Sequence, residues 1–338
     1  MNTKSAESPL HRADKSSSLC LEAGYHPKSW RKAIAVALRK PGKPDYSNPR
    51  AYRLITLLEC LGKILEKIVA HRLTYLAGKH NLVPANQFGG RSNSSTVDAL
   101  LTFTNDVQCT WNRKLVTSAL TFDIKGYFDF VNHNRLLSEL RRKHIPLAYV
   151  KWVASFLANR EAAICIDGKR GTMEHVVNGI PQGSPISPIL AAFYTADLLE
   201  QFQPKQADQG EPKPDKKTDV HLIMYVDDGK LYVSSKSLET NVTHLKEAYN
   251  KAENWLKAAG LSPDYAKREL MHYTRRKNDG SPSISFDDGD GTHQIVKPKS
   301  TVRWLRVHFD QKLCFQKHAT ITSVTHFWVP MRYINSLI

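Results

Sequence analysis

Two adjacent carboxylates follow an apolar run in the second half of the chain. Residues 221–226 have the β-branched and aromatic content of a buried strand, Asp227 and Asp228 follow, and Gly229 permits a tight turn. Residues 231–233 form the returning strand, so the acids are predicted to lie at a hairpin tip. Two like charges side by side repel each other, and a divalent cation would remove that conflict. The alternative is a polar β-turn without chemistry, which is the usual role of an isolated Asp-Asp pair.

A third acid is placed in the same way. Residues 119–122 form an apolar strand that ends at Asp123, after which a glycine and two aromatic residues turn the chain toward a helix. If the two strands are neighbours in one sheet, Asp123 and Asp227 face each other across a gap suited to Mg²⁺, which binds carboxylate and phosphate oxygens. Two metal ions about 4 Å apart can activate an attacking hydroxyl and stabilise a leaving pyrophosphate. Helix capping, the alternative role for such an acid, applies more naturally to Asp129 and Asn132.

The remaining pattern predicts the elements that position these acids. The loop 178–188 combines glycines, prolines and hydroxyls ahead of a helix whose free N–H groups favour anions, although a plain connector is the alternative. The glycine-rich turn 86–92 either approaches a nucleotide closely or simply joins two helices. Apolar spacing predicts helices over 57–76, 95–110, 131–140, 189–199 and 240–259, and strands over 33–38, 267–273 and 301–309.

Composition favours a globular protein with a polyanionic partner. The 338 residues are 41% hydrophobic, and 48 Lys and Arg against 32 Asp and Glu give a formal charge of +16. This balance favours nucleic acid first and an acidic membrane second, and the alternative is a merely basic surface without such a partner. Five scattered cysteines without metal-ligand spacing argue against a disulfide framework, so a reducing, intracellular compartment is expected. No apolar run approaches the roughly 18 residues of a transmembrane helix, so no transmembrane helix is expected, and nucleic acid and not a membrane is the predicted partner.

With these pieces in order, the chain resembles the reverse transcriptase domain of a non-LTR (LINE-type) retrotransposon, and most of all the fungal elements. Tyr127 stands where most relatives have a small residue, but fungal relatives can carry Tyr there. The resemblance covers residues 26–320 and rests on several separate blocks in the family order rather than on one YxDD motif. These blocks are 52–73, 87–91, 122–129, 179–188, 225–228, 260–267 and 304–318.

The resemblance implies the residues that would extend a DNA primer on an RNA template. Asp123, Asp227 and Asp228 would bind two Mg²⁺ ions, with Mn²⁺ as an alternative metal, and the backbone carbonyl of Ile124 would be a further ligand. Lys267 matches a lysine that would protonate the leaving pyrophosphate, which is a general-acid role.

The resemblance also implies residues that bind the nucleotide, the template and the primer. Phe128 would exclude a ribose 2′-hydroxyl and so select deoxynucleotides. Arg53 would contact the incoming triphosphate, with Lys40 assisting. The other expected contacts lie beside the template base and incoming nucleotide and in the primer grip: Gln182, Gly183, Trp304 and Leu305.

The implied fold is α+β, a right-hand polymerase with an antiparallel-sheet palm, helical fingers and a largely absent thumb. We therefore expect a fragment of a longer protein. The predicted division is a disordered leader (1–25), fingers (26–118), the first part of the palm with a fingers insert and the template loop (119–203), a flexible insertion (204–219), the second part of the palm (220–310) and the truncated start of a thumb (311–338).

Arg306 departs from the family pattern, in which Gly follows Trp-Leu in the primer grip. A side chain there is expected to block the tight backbone turn that holds the primer. The leading hypothesis is an RNA-directed DNA polymerase whose partners are an RNA template, a DNA primer and dNTPs. The alternative is a catalytically decayed remnant or a maturase-like RNA-binding protein. A nuclear location is expected, with a mitochondrial one as the alternative, and no oligomeric state is predicted.

Overall fold

The computed structural model of this chain describes residues 18–203, 219–277, 279–288 and 292–325. The predicted flexible insertion, apart from its last residue, lies outside these ranges, as does most of the predicted leader. The prediction of disorder is wrong for the end of that leader, where residues 18–22 are helical. The chain forms two compact units, the first from the described parts of Met1–Asn93, Gly126–Asp197 and Lys257–Leu261, and the second from those of Ser94–Lys125, Leu198–Leu256 and Ser262–Ile338.

The secondary structure alternates between helices and strands throughout both units. The strands are β1 Lys32–Arg39, β2 Tyr52–Leu57, β3 Val116–Asp123, β4 Arg160–Ile166, β5 Lys169–Val176, β6 Val220–Tyr225, β7 Asp228–Ser235, β8 Glu269–Tyr273, β9 Ile284–Asp288, β10 Thr292–Val296, β11 Thr301–Trp304 and β12 Val307–Asp310. The α-helices are α1 Cys60–Lys79, α2 Thr96–Asn112, α3 Tyr127–Phe130, α4 His133–Arg142, α5 Leu147–Leu157, α6 Ser187–Glu200, α7 Leu238–Ala258 and α8 Gln316–Thr325. Short 3₁₀ helices cover Lys28–Arg31, Pro49–Ala51 and Tyr265–Lys267.

The first unit is built on a four-stranded sheet in the order β2-β1-β4-β5. β1 is antiparallel to β2 and parallel to β4, and β4 and β5 form an antiparallel pair. Helix α1 buries Leu65, Val69 and Leu73 completely, and their spacing of four residues puts them on one face of the helix. The region predicted as helical fingers therefore also contains the strands β1 and β2. β1 pairs with β4, which lies far along the chain.

The second unit is built on an antiparallel sheet in the order β6-β7-β3-β8, which confirms the expected antiparallel palm sheet. Strand β3 is buried at every position except its last, Asp123. Helix α2 begins with a capping box between Ser95 and Asp98 and buries Phe103 and Val107 completely. Because the rest of β3 is buried, Asp123 is the residue of this strand that a ligand can reach.

One predicted element is wrong. Residues 301–309 were expected to form a single strand, but they form the antiparallel hairpin β11–β12 with Leu305 and Arg306 as its turn. The alternation of apolar residues fits either arrangement, because both strands of a hairpin keep a period of two. The division into fingers and palm stays a prediction. Among the described residues, no helix is both long and apolar enough to cross a membrane.

Candidate active site

The hairpin β6–β7 carries the adjacent acids, as predicted. Tyr225 and Asp228 are the last paired residues, so Val226 and Asp227 form a two-residue turn. Val226 has φ +61°, an unfavourable value for a β-branched residue, and such strain persists only where the flanking strands hold it. Gly229 follows, and a Cβ atom there would lie less than 3 Å from the ring of Phe122. Glycine at this position therefore serves a close strand contact.

The third acid lies directly opposite this hairpin. Asp123 on β3 pairs with Asp228 on β7 in the antiparallel register, which places their Cα atoms about 5 Å apart. Like charges at opposed positions destabilise a sheet. β3 therefore neighbours the returning strand β7 and not β6, so the acid that faces Asp123 is Asp228 and not the expected Asp227. This register still brings negative charge together at one end of the sheet.

Lys267 provides the nearest positive charge. Its ammonium group donates a short hydrogen bond to Oδ2 of Asp123 and lies 3.4 Å from Oδ2 of Asp264. The backbone N–H of Asp264 donates to the carbonyl of Asp123 at 2.8 Å, so the 3₁₀ turn that ends at Lys267 is attached to the end of β3. Lys267 therefore lies beside Asp123, and the general-acid role implied for it stays a prediction.

The acids perturb one another. Burial, together with the charges of Asp123 and Asp228, raises the pKa of Asp227 to about 6. Burial and the charge of Asp123 also raise the pKa of Asp228, although Lys267 opposes this shift. Burial alone would lower the pKa of Lys267, but its bonds to Asp123 and Asp264 raise it overall. The site therefore has more negative charge than one lysine compensates.

The oxygen atoms of the three acids and of the Ile124 carbonyl are of the type that binds a hard divalent cation. Carboxylate and carbonyl oxygens are the ligands that Mg²⁺ prefers. Ile124 is almost fully buried, and its carbonyl accepts no hydrogen bond from the described residues, which leaves it free as a ligand. Within those same residues, no three His, Cys, Asp or Glu side chains are arranged to hold a metal ion. Lys267 instead occupies one oxygen of Asp123, so metal binding would require its ammonium group to shift.

Of the two predicted primer-grip residues, Trp304 is buried and Leu305 lies in a tight turn. Trp304 is 3% exposed and packs against Phe103 and Phe309, so it anchors the hairpin from below. Leu305 and Arg306 form the turn with φ +47° and +69°, and Arg306 is exposed. The expectation that Arg306 would block a tight turn is wrong, because the turn forms with Arg306 in the left-handed region.

In the first unit, Phe128 lies near the template loop that carries Gln182 and Gly183, and the roles implied for these three residues stay predictions. Phe128 and Gln182 line a cavity of about 520 Å³, together with residues of β1, β2, β4 and β5 that include Ala33, Ala35 and Ala162. The carbonyl of Gln182 accepts a hydrogen bond of 2.6 Å from the N–H of Thr56. Gly183 has φ +122°, and a Cβ atom there would lie 2.7 Å from the carbonyl oxygen of Thr56. This contact fixes the predicted template loop against β2.

Arg53 and Lys40 are not part of that cavity. Leu54 and Thr56 line it, and alternation along β2 therefore directs Arg53 to the other face of the sheet. The ammonium group of Lys40 donates to the carbonyl of Arg50 at 3.1 Å on the protein surface. The triphosphate contacts implied for these two residues stay predictions.

Three structural roles were missed from the sequence. Ser184 donates a buried hydrogen bond of 2.5 Å to Glu66 on α1, which anchors the template loop from below. Asp264 pairs with Lys267, and its spacing of three residues from that lysine was a usable signal. In the turn 86–92, Gly90 approaches the carbonyl of Pro188 closely, which favours the plain packing role over contact with a nucleotide.

Both the fold and the sequence match known proteins. Residues 38–309 match the family described as "Reverse transcriptase (RNA-dependent DNA polymerase)". The RNA-directed DNA polymerase from mobile element jockey of Drosophila melanogaster is 26% identical over 89% of this chain and 31% of that protein. The Pol polyprotein from type-1 retrotransposable element R2 of Popillia japonica is 24% identical over 72% of this chain and 32% of that protein.

Solved structures show the same fold at low identity. Apo telomerase from Candida tropicalis, truncated from its C-terminal domain, matches with a TM-score of 0.55 and 14% identity over 91% of this chain and 59% of that chain. Telomerase from the same organism in complex with a telomeric RNA fragment matches with a TM-score of 0.52 and 14% identity, over 82% of this chain and 46% of that chain.

The palm sheet with three acids at one end defines a right-hand polymerase fold. The chain belongs to the reverse transcriptase (RNA-dependent DNA polymerase) family, and within it to the domain found in non-LTR retrotransposons of the jockey and R2 type. It spans about a third of the length of these curated relatives.

Proposed function

We propose that this chain is the polymerase domain that copies RNA into DNA for a non-LTR retrotransposon. The observation that carries the proposal is the opposition of Asp123 and Asp228 at one end of the palm sheet, with Asp227 in the adjoining turn and Lys267 bonded to Asp123. Concentrated carboxylates beside one cation suit phosphoryl chemistry, in which catalysis depends on positioning and charge neutralisation.

Asp123, Asp227 and Asp228, with the carbonyl of Ile124, would hold two Mg²⁺ ions, or Mn²⁺ in their place. When bound, these ions would activate the primer hydroxyl and stabilise the departing pyrophosphate. Asp264 holds the ammonium group of Lys267 beside the acids, where its proton is available to the leaving group. The strained turn at Val226 fixes the position of Asp227 before any ligand arrives.

The first unit would select the nucleotide. Phe128 lines the cavity beside Gln182, and its ring would exclude a 2′-hydroxyl and so favour dNTPs over ribonucleotides. A Phe128→Ala variant should accept ribonucleotides more readily than the wild type. Equal discrimination by the two proteins would remove Phe128 from this role.

Primer extension tests the proposed activity directly. Purified protein with a DNA-primed RNA template, dNTPs and Mg²⁺ should incorporate labelled nucleotide, and Asp227→Asn should abolish incorporation because it removes a charged ligand. Asp219→Asn is the matched control, since this exposed acid lies at the start of the same hairpin and outside the site. Incorporation by Asp227→Asn at the control rate would refute the assignment. Salt-sensitive RNA binding without incorporation by the wild type would instead indicate a silent RNA-binding remnant.

We further propose an element of the fungal type and a nuclear location, with the mitochondrion as the alternative. Tyr127 supports the first proposal, since it fills a position that is usually small in the family. Its hydroxyl donates to the carbonyl of Ala191 at 2.7 Å, so the larger side chain has its own buried partner. Fluorescence microscopy of the tagged protein in a fungal host tests the location.

A further inference from the structure

A cluster of exposed cations lies at the end of the palm sheet that is opposite to the acids. β3 begins at Val116, β7 ends at Ser235 and β8 ends at Tyr273, and each is flanked there by basic residues. Val116 and Asp123 are the two ends of the eight-residue strand β3, so seven steps of 3.3 Å separate this end from the acid, roughly 23 Å. We call this surface the basic corner, and it comprises Arg113, Lys114, Lys236, Arg275, Arg276 and Lys277.

The basic corner is a built surface and not a set of independent side chains. The guanidinium group of Arg276 donates to the carbonyl of Lys114 at 2.6 Å and to that of Lys236 at 2.9 Å. It also lies 3.8 Å from a carboxylate oxygen of Asp279. One arginine thus ties three chain segments together at fixed spacing.

Three further cations of the basic corner have no acidic partner among the described residues. Arg113, Lys236 and Lys277 are exposed, and within the part of the chain that the structure describes they form no ion pair with an acid. Exposed like charges from separate segments repel one another weakly in water, and a bound polyanion would relieve this repulsion. Phosphodiester backbone is a polyanion that several separate cations can bind at once.

An aromatic platform lies in the same corner. The guanidinium group of Arg275 lies 4.4 Å from the centre of the Trp111 ring. The indole N–H of Trp111 donates to the carbonyl of Tyr273 at 3.2 Å, which holds the ring at the end of β8. Stacked aromatic and guanidinium planes are the surfaces on which unpaired bases stack.

We propose that the basic corner binds a single-stranded RNA segment, with Arg113, Lys236 and Lys277 on its phosphates and the Trp111–Arg275 platform on an unpaired base. The identity of the RNA as the template, held at a distance from the copying site, rests on the proposed function. The binding surface itself does not require nucleotide incorporation, so the two can fail separately.

Salt-dependent binding tests the surface. The double variant Lys236→Gln/Lys277→Gln removes two cations that make no structural hydrogen bond, and Lys246→Gln/Lys297→Gln outside the corner is the control with the same charge change. Binding of an unstructured RNA of about 20 nucleotides is measured at several salt concentrations without Mg²⁺ or dNTPs. Each lost phosphate contact should reduce the slope of log K against log salt by about 0.7, hence about 1.4 for the double variant.

The expected result is the reduced slope and an affinity about 20-fold lower near 0.1 M salt for the corner variant, with the control close to wild type. Arg275→Gln should weaken RNA binding while changing the slope less than the double variant does. Equal slopes for the corner and control variants would refute the proposal. An equal loss of binding to duplex DNA of the same length would also overturn it, because the surface would then be a general polyanion site.

Discussion

The turn of the β11–β12 hairpin gives a stability prediction with an unusual sign. Leu305 and Arg306 both have positive φ, the pattern of a type I′ turn, for which Asn-Gly is preferred. A residue with a side chain costs about 1–2 kcal/mol in the left-handed region, and Gly avoids this cost. Gly in turn costs roughly 0.5–1 kcal/mol, because it has more conformational freedom to lose on folding. Arg306→Gly should therefore stabilise the protein by about 0.5–1 kcal/mol.

Urea denaturation followed by circular dichroism measures this gain. Arg303→Gly is the matched control, since it removes the same charge from an exposed position in β11, where the backbone is extended. The control should lose roughly 0.5–1 kcal/mol, because Gly weakens a strand interior. Adding Leu305→Asn to Arg306→Gly should increase the gain, since Asn tolerates the left-handed conformation. Destabilisation by Arg306→Gly equal to that by Arg303→Gly would show that the turn carries no strain.

Titration, core burial and loop anchoring give three further expected outcomes. Mg²⁺ affinity, measured by calorimetry, should fall about tenfold per pH unit below about pH 6, because Asp227 then binds a proton, and a flat profile there would contradict this. Burial lowers the pKa of Lys230 well below its usual value, so the unfolded chain holds this proton more tightly. Wild-type stability should therefore rise toward pH 10 by at most about 1.4 kcal/mol per unit, while Lys230→Met should be more stable at pH 7 and lack that rise. Ser184→Ala should lower the free energy of unfolding, measured by urea denaturation, by about 1–3 kcal/mol, because it leaves the buried carboxylate of Glu66 without its hydrogen-bond donor. Ser187→Ala removes another hydroxyl of this loop, and an equal loss in that control would show that the effect is not specific to the bond with Glu66.

Local features of the site could be predicted from the sequence, and non-local ones could not. An apolar run, two acids and a glycine identify the β6–β7 hairpin, because its two strands are joined by a short turn. The pairing of Asp123 with Asp228 depends on the register of strands that are distant in the sequence, which only the buried faces of the sheet determine. The contact between Lys267 and Asp123 joins residues 144 positions apart and depends on a second non-local pairing, that of β3 with β8.

The cavity of the first unit is a second non-local feature that could not be predicted from the sequence. Its wall of Ala33, Ala35 and Ala162 exists because β1 pairs in parallel with β4, a strand more than a hundred residues further on. Each alanine alone is ordinary in a strand that packs on a core. The hollow beside Phe128 therefore follows from strand order, and no single segment of the sequence contains its signal.

A buried lysine lies beneath the primer-grip hairpin. Lys230, two residues after Asp228 on β7, is fully buried, and its side-chain nitrogen lies 4.0 Å from the ring centres of Phe103 and Trp304 and 4.5 Å from that of Phe309. Because burial favours the uncharged amine, these are packing contacts, and an apolar side chain could fill the same space at lower cost. Trp304 and Phe309 belong to the two strands that flank the strained turn, so their packing around Lys230 fixes those strands. The turn at Arg306 thus keeps a conformation that its own residues disfavour, because the strand that carries Asp228 anchors the hairpin from below.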